Sequence, residues 1–207
     1  MIELKKYTIG TYKQHADDNS STDFTRRIPT GLSDRQMERD AKITMQLVRI
    51  QQEGRQDAAE RMIDLFRSKA RLLSNPRYWE LMRTVWVAAG STETAPVFRT
   101  LMRSARPCRS WFMTPEDAAD LDRMDYPLTV WRAFDMKYID VLPKTTCPGD
   151  IVALPDTDPG ISWTIDREWC MRYARLKGRV VKERQVQRSD IFAYVTRRGE
   201  SEMIILE

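Results

Sequence analysis

Three short stretches in the second half of the chain carry side chains that could do chemistry. Arg132 lies inside Val130-Trp131-Arg132-Ala133-Phe134, Ser162-Trp163-Thr164 follow Gly160-Ile161, and Glu200-Ser201-Glu202 precede the apolar run Met203–Leu206. An arginine presents a planar fork of donors that matches phosphate oxygens. Two glutamates spaced by one residue fall on the same face of a strand. Carboxylates so placed repel, which costs stability unless a cation or hydrogen-bond donors compensate. Each stretch taken singly also has an ordinary explanation. A mid-strand Arg serves in a rim salt bridge, Ser-Trp-Thr is common strand sequence before a helix cap, and two Glu are solvated charges at a strand edge.

Composition narrows the chemistry. The chain has 207 residues and a single histidine, His15, set in a polar N-terminal stretch. That count argues against a Ser-His-Asp triad, a Cys-His pair or a multi-His metal site, so no metal is expected. Cys108, Cys147 and Cys170 are widely spaced with no CxxC, and read as reduced thiols rather than a disulfide frame or zinc site. Lys and Arg number 34 against 30 Asp and Glu, a net charge of +4 that permits nucleic-acid contact without arguing for it. No apolar run approaches the ~20 residues of a membrane helix, and the N-terminus is no signal peptide. The expectation is a soluble cytoplasmic protein whose chemistry rests on carboxylates, Arg, Lys, hydroxyls or backbone.

The elements that would position these residues are read from periodicity. Residues 1–14 read as a short strand or arm and 15–33 as a linker. Ser33 and Gln36 fit a capping box opening a first helix that stops near Gly54. A second helix over 56–73 has an apolar stripe through Met62, Ile63, Phe66 and Leu73. Asn75-Pro76 opens a third, with Tyr78, Leu81, Met82 and Val85 before Gly90, and Phe98, Leu101 and Met102 mark a fourth. These stripes predict a small bundle, or helices docked onto the second half of the chain. After Pro107 the pattern changes. Arg109–Met113 is a strand candidate, Thr114–Asp117 caps a short helix, and Leu128–Phe134 is a strand. Ile151–Leu154 and Gly160–Ile165 are short strand candidates, and Asp166–Leu176 is a helix ended by Gly178. Arg179–Val186, Ile191–Thr196 and Met203–Leu206 are further strands. This half is α+β, expected as two packed sheets.

Taken together and in this order, the three stretches resemble the Arg–Ser–Glu class of toxin-like and phage ADP-ribosyltransferases. That class has aromatic-Arg on an early strand, then Ser-x-Ser/Thr, then Glu-x-Glu before an apolar strand. The flanking GISWTIDREWCMRYA and IFAYVTRRGESEMII also resemble phage members, and the likeness covers roughly residues 109–207. It implies an ADP-ribosyltransferase-like two-sheet domain over 107–207, preceded by an arm and linker (1–33) and a helical region (34–106). It implies NAD as the substrate and a protein as the acceptor, most simply an arginine side chain. Glu202 would stabilise the ribose cation that forms as nicotinamide leaves, Ser162 would orient Glu202 and the ribose, and Glu200 would engage the acceptor. Arg132, Ala133, Ser162, Thr164 and Tyr173 would bind NAD. Ala133 stands where the family commonly has Gly, but offers the same backbone N–H and C=O. Trp169, Tyr173 and Leu176 also form a helical stripe that reads as core, and Arg197-Arg198-Gly199 occupy the loop where family members recognise their target.

Two variants keep the site and change the acceptor: water gives a NAD glycohydrolase, a nucleic acid gives a nucleic-acid modifier. From a different class comes a partner-binding or virion-associated protein on an inert scaffold of the same shape. The phage likeness implies a host-takeover or counter-defence role in the host cytoplasm.

Overall fold

The computed structural model describes residues 31–91, 93–135, 145–152, 160–197 and 200–206. The expected arm, most of the linker and the Arg198-Gly199 turn lie outside them.

Helix α1 spans Asp34–Gln52 behind Ser33, whose hydroxyl accepts from the Gln36 N–H. The Gln36 side chain does not return to the cap. It donates to Asp40 Oδ1 (2.8 Å) and to the Leu72 carbonyl (2.9 Å), tying α1 to the end of the next helix. Helix α2 spans Ala58–Lys69 and tightens into a 3₁₀ turn over Ala70–Leu72. Helix α3 spans Asn75–Ala89. Buried Asp40 sits at its start, accepting from both the backbone N–H and the hydroxyl of Ser74, so a carboxylate meets the positive end of the helix. Helix α4 spans Ala95–Met102.

The strand expected at 109–113 is instead a 3₁₀ turn over Arg109–Phe112, entered through Cys108 in the left-handed region (φ 66°). The turn buries Phe112 edge-on against Phe192 (5.3 Å) and lays Arg109 over the same ring (4.3 Å). Helix α5, Pro115–Asp122, has the full reciprocal capping box between Thr114 and Asp117.

Strands β1 (Leu128–Asp135), β2 (Ser162–Thr164), β3 (Arg179–Val186), β4 (Ile191–Arg197) and β5 (Glu200–Ile205) form one antiparallel sheet in the order β3-β1-β2-β5-β4. Helix α6, Arg167–Leu176, follows β2 behind an Asp166 cap. The result is α+β, but the described strands make a single sheet rather than two. Of the candidate at 151–154, Ile151 makes only an isolated parallel bridge to Val181, and 153–154 lie outside the described residues. Strand β5 starts at Glu200 rather than Met203, because Glu200 and Ser201 pair with Arg197 and Thr196.

Helices cover both faces of the sheet. On one face, α1–α4 pack over Ala193, Val195 and Ile204, while α6 packs over Val181, Trp131 and Ala133 through Cys170 and Ala174. On the other, Leu121 of α5 packs with Val130, Trp163, Tyr194, Met203 and Ile205. The apolar cluster that holds α1–α4 together includes Ile161, Phe192 and Ile204, so it crosses the boundary expected at 106/107. Burying side chains of this size contributes roughly 1.5–3 kcal/mol each. No helix among the described residues is long and apolar enough to cross a membrane.

Candidate active site

Strands β1 and β3 pair along eight residues, whereas β1 and β2 pair at one position, Trp131 opposite Thr164. A cavity of about 350 Å³ opens where that pairing stops. The sheet supplies Arg132 and Ala133 from β1, Ser162 and Thr164 from β2, and Glu202 from β5. Helix α6 adds Trp169, Cys170 and Tyr173, and the corner between α3 and α4 adds Trp86, Gly90, Ser91 and Glu93.

The cross-strand register explains the convergence. Thr164 pairs with both Trp131 and Glu202, so the three share one row on one face, and Ser162 lies two residues along the same strand. Arg132 belongs to the opposite row by alternation. It is only 8% exposed, with its guanidinium 5.1 Å from the Phe134 ring centre. Its head reaches the chain entering β2. A Cβ on Gly160 would lie 1.5 Å from both terminal guanidinium nitrogens, so that position admits no side chain while Arg132 stays in place. Arg99 of α4 donates to the Gly160 carbonyl at 3.5 Å and helps hold this backbone.

Glu202 is half-buried, and its Oε2 accepts from the indole N–H of Trp86 at 3.2 Å. Of Glu200 only the backbone is described, opposite Arg197. Ser162 is half-buried on the cavity wall. The Thr164 hydroxyl accepts from the Asp166 N–H (3.0 Å), closing the turn into α6. Tyr173 stacks on Trp169 (centroids 5.2 Å apart, planes 5° apart), and its hydroxyl accepts from Arg179 at 3.2 Å. The core stripe expected through Trp169, Tyr173 and Leu176 is corrected: Leu176 is 78% exposed, and α6 buries Cys170 and Ala174 instead. Packing against β1 and β3 selects the small side chains of α6 for the interior and leaves its aromatic rings to the cavity. Burial pushes the Cys170 thiol up to about 11, with Asp166 adding to the shift and Arg132 opposing it, so it is no ready nucleophile at neutral pH.

No family model, curated protein or solved structure matches the chain. The cavity is lined by two carboxylates, Glu93 and Glu202, two guanidinium groups, the hydroxyls of Ser91, Ser162, Thr164, Tyr173 and Ser201, and a stacked aromatic pair. A site so furnished can bind an anionic, ring-bearing ligand and stabilise positive charge on it. Among the described residues no group of His, Cys, Asp and Glu is arranged to hold a metal ion. Among the cavity residues not legible as site residues in the sequence are Trp86, Glu93 and Arg179, and Gly160 beside the Arg132 head was likewise not singled out. The available signal at Trp86 was a bulky indole one turn before the glycine that ends α3.

Proposed function

We propose that the chain is a NAD-dependent mono-ADP-ribosyltransferase that modifies a protein, with arginine as the acceptor side chain. The observation that carries this reading is the meeting of Arg132, Ser162 and Glu202, from three strands, at one cavity. They are distant in sequence, and the resemblance links them only through their order. A volume of about 350 Å³ lies in the lower range of small-molecule sites and suits the nicotinamide–ribose half of NAD.

In this reading the bond from ribose C1′ to the pyridinium nitrogen breaks, and nicotinamide leaves with the electron pair as a neutral molecule. The charge left on the ribose is stabilised by the Glu202 carboxylate, which also accepts from the ribose 2′-hydroxyl. Ser162 orients both, and Arg132 binds phosphate oxygens. The Ala133 backbone holds the nicotinamide amide, Thr164 supports the same wall, and Tyr173 offers a flat ring to the pyridine. An acceptor guanidinium nitrogen then attacks C1′ and gives up a proton to Glu200. By the same resemblance the acceptor is a host or defence protein met in the cytoplasm.

The test separates the two glutamates. Glu202→Gln is expected to lower nicotinamide release about 10²–10³-fold, the usual cost of one preorganised electrostatic contact. Glu200→Gln is expected to spare NAD hydrolysis and to block labelling of arginine acceptors in a bacterial lysate with labelled NAD. Circular dichroism and melting must match wild type in both. Near wild-type turnover in Glu202→Gln refutes the mechanism, and normal transfer in Glu200→Gln refutes arginine as the acceptor.

A further inference from the structure

The helical region makes a polar contact with the carboxylate at the centre of the proposed reaction. The Trp86 indole N–H, on the last turn of α3, donates to Glu202 Oε2 at 3.2 Å. Two further contacts fix that indole. Phe98 of α4 meets it edge-to-face, with centroids 4.9 Å apart and planes at 84°. Gly90 also lies against the indole, where an added Cβ would come within 2.9 Å of two ring carbons and 2.6 Å of the Trp86 carbonyl. Trp86 is 3% exposed, so its indole has no freedom to swing away.

We infer that Trp86 is a positioning residue for Glu202, and that α3 and α4 are thereby part of the active site rather than an appended module. A carboxylate on a strand rotates freely about its terminal bonds unless something holds it. One oxygen bound to a rigid N–H restrains the rotation of the carboxylate at the cavity wall. The indole donor is neutral, so this contact does not itself offset the carboxylate's negative charge. A lysine or arginine in the same place would cancel that charge. The inference rests on the proposed reaction for its catalytic part and on geometry alone for the contact.

Trp86→Phe keeps a ring against Gly90 and Phe98 and removes only the N–H donor. The expected result is a fall in kcat for nicotinamide release of up to about 10²-fold, the scale of an ångström misplacement of a reacting group. KM for NAD should change much less than kcat, because Glu202 is one of several groups that bind the dinucleotide and the one that stabilises the charge formed in the reaction. Where the phenyl ring lowers the melting temperature, the benzothienyl analogue of Trp86, with sulfur in place of N–H, repeats the measurement at full packing. The contact has its own readout. Of the six indole N–H resonances of the full chain, Glu202→Gln should move one, and Trp86→Phe should remove that same one. If Glu202→Gln leaves the Trp86 resonance in place, or an active wild type and its benzothienyl variant share one kcat, the inference is overturned alone. If wild type releases no nicotinamide while the resonance moves as expected, the proposed reaction falls and takes the catalytic part of the inference with it.

Discussion

Gly160→Ala tests the site through steric reach rather than through charge. Carbon atoms at contact sit about 3.5–4.0 Å apart. The new methyl would start 1.5 Å from the Arg132 terminal nitrogens and 1.6 Å from the guanidinium carbon. The guanidinium must therefore move by roughly 2 Å, against that contact distance. It is the far end of a long side chain beside an open cavity, so it yields by rotation and the backbone stays. Stability should fall by about 1 kcal/mol, the low end for overpacking, which is about 2–4 °C in melting for a chain of this size. Ligand binding should suffer more. Displacing one or more hydrogen bonds to a charged partner, worth about 1.5–3 kcal/mol, corresponds to roughly tenfold to hundredfold weaker NAD binding. The assay is a pair of titrations, thermal shift against NAD and KM for nicotinamide release, on Gly160→Ala, Arg132→Ala and the double variant. Once Arg132 is truncated the methyl has nothing to displace, so the double variant should match Arg132→Ala. Wild-type affinity in Gly160→Ala, or a further loss in the double variant, would refute the placement of Arg132 at the cavity.

Two more expectations concern the scaffold. Asp117, 1% exposed, accepts from Arg83 (2.9 Å), from the Thr196 N–H (3.1 Å), from the Thr196 hydroxyl (2.6 Å) and from the Thr114 N–H (3.4 Å), so Asp117→Ala strands a cation and three donors at once. Breaking a buried pair of this kind costs about 3–5 kcal/mol, and a urea midpoint shift equivalent to under roughly 1 kcal/mol would contradict the assignment. With Ellman's reagent on native protein, exposed Cys108 and Cys147 should react first and buried Cys170 only on unfolding. The Cys170 thiol is held neutral by burial in the folded state, from an ordinary value of 9.0 to about 11. Its contribution to stability is therefore complete below pH 9 and lost as pH rises through about 11, which alkaline melting curves of wild type and Cys170→Ala would show.

Local signals were the most legible part of the sequence. Ser33, Thr114 and Asp166 each cap the helix after them, because a capping hydroxyl or carboxylate needs only the next three residues. The Arg132 and Ser162–Thr164 stretches fall on strands for the same reason, by short-range alternation, whereas Glu200-Ser201-Glu202, read as preceding a strand at Met203, form its first half. The turn at Arg109–Phe112 reads as a strand because four residues containing Trp and Phe satisfy a buried turn as readily as a strand. The number of sheets was not legible, since β1, β2 and β5 pair across long separations in sequence and that pairing depends on register rather than composition. Trp86 is hidden as a site residue for a related reason. A helical stripe reports which side of α3 is apolar, and not that its last turn ends beside a carboxylate 116 residues away in sequence.

The single rung between β1 and β2 makes the sheet two ribbons joined at one point. Arg132 rides on the ribbon formed with β3, and Ser162 and Glu202 ride on the ribbon formed with β5 and β4. Parting the ribbons at the cavity end sacrifices none of the eight pairings that hold β1 to β3. Val130 and Val186 from one ribbon share an apolar cluster with Trp163, Met203 and Ile205 from the other, so the far face acts as the spine of a book. Its opening angle sets the distance between the Arg132 guanidinium and the Glu202 carboxylate across the cavity. Side-chain volume in that spine is therefore a setting for the site, adjustable by substitutions on the face opposite the cavity.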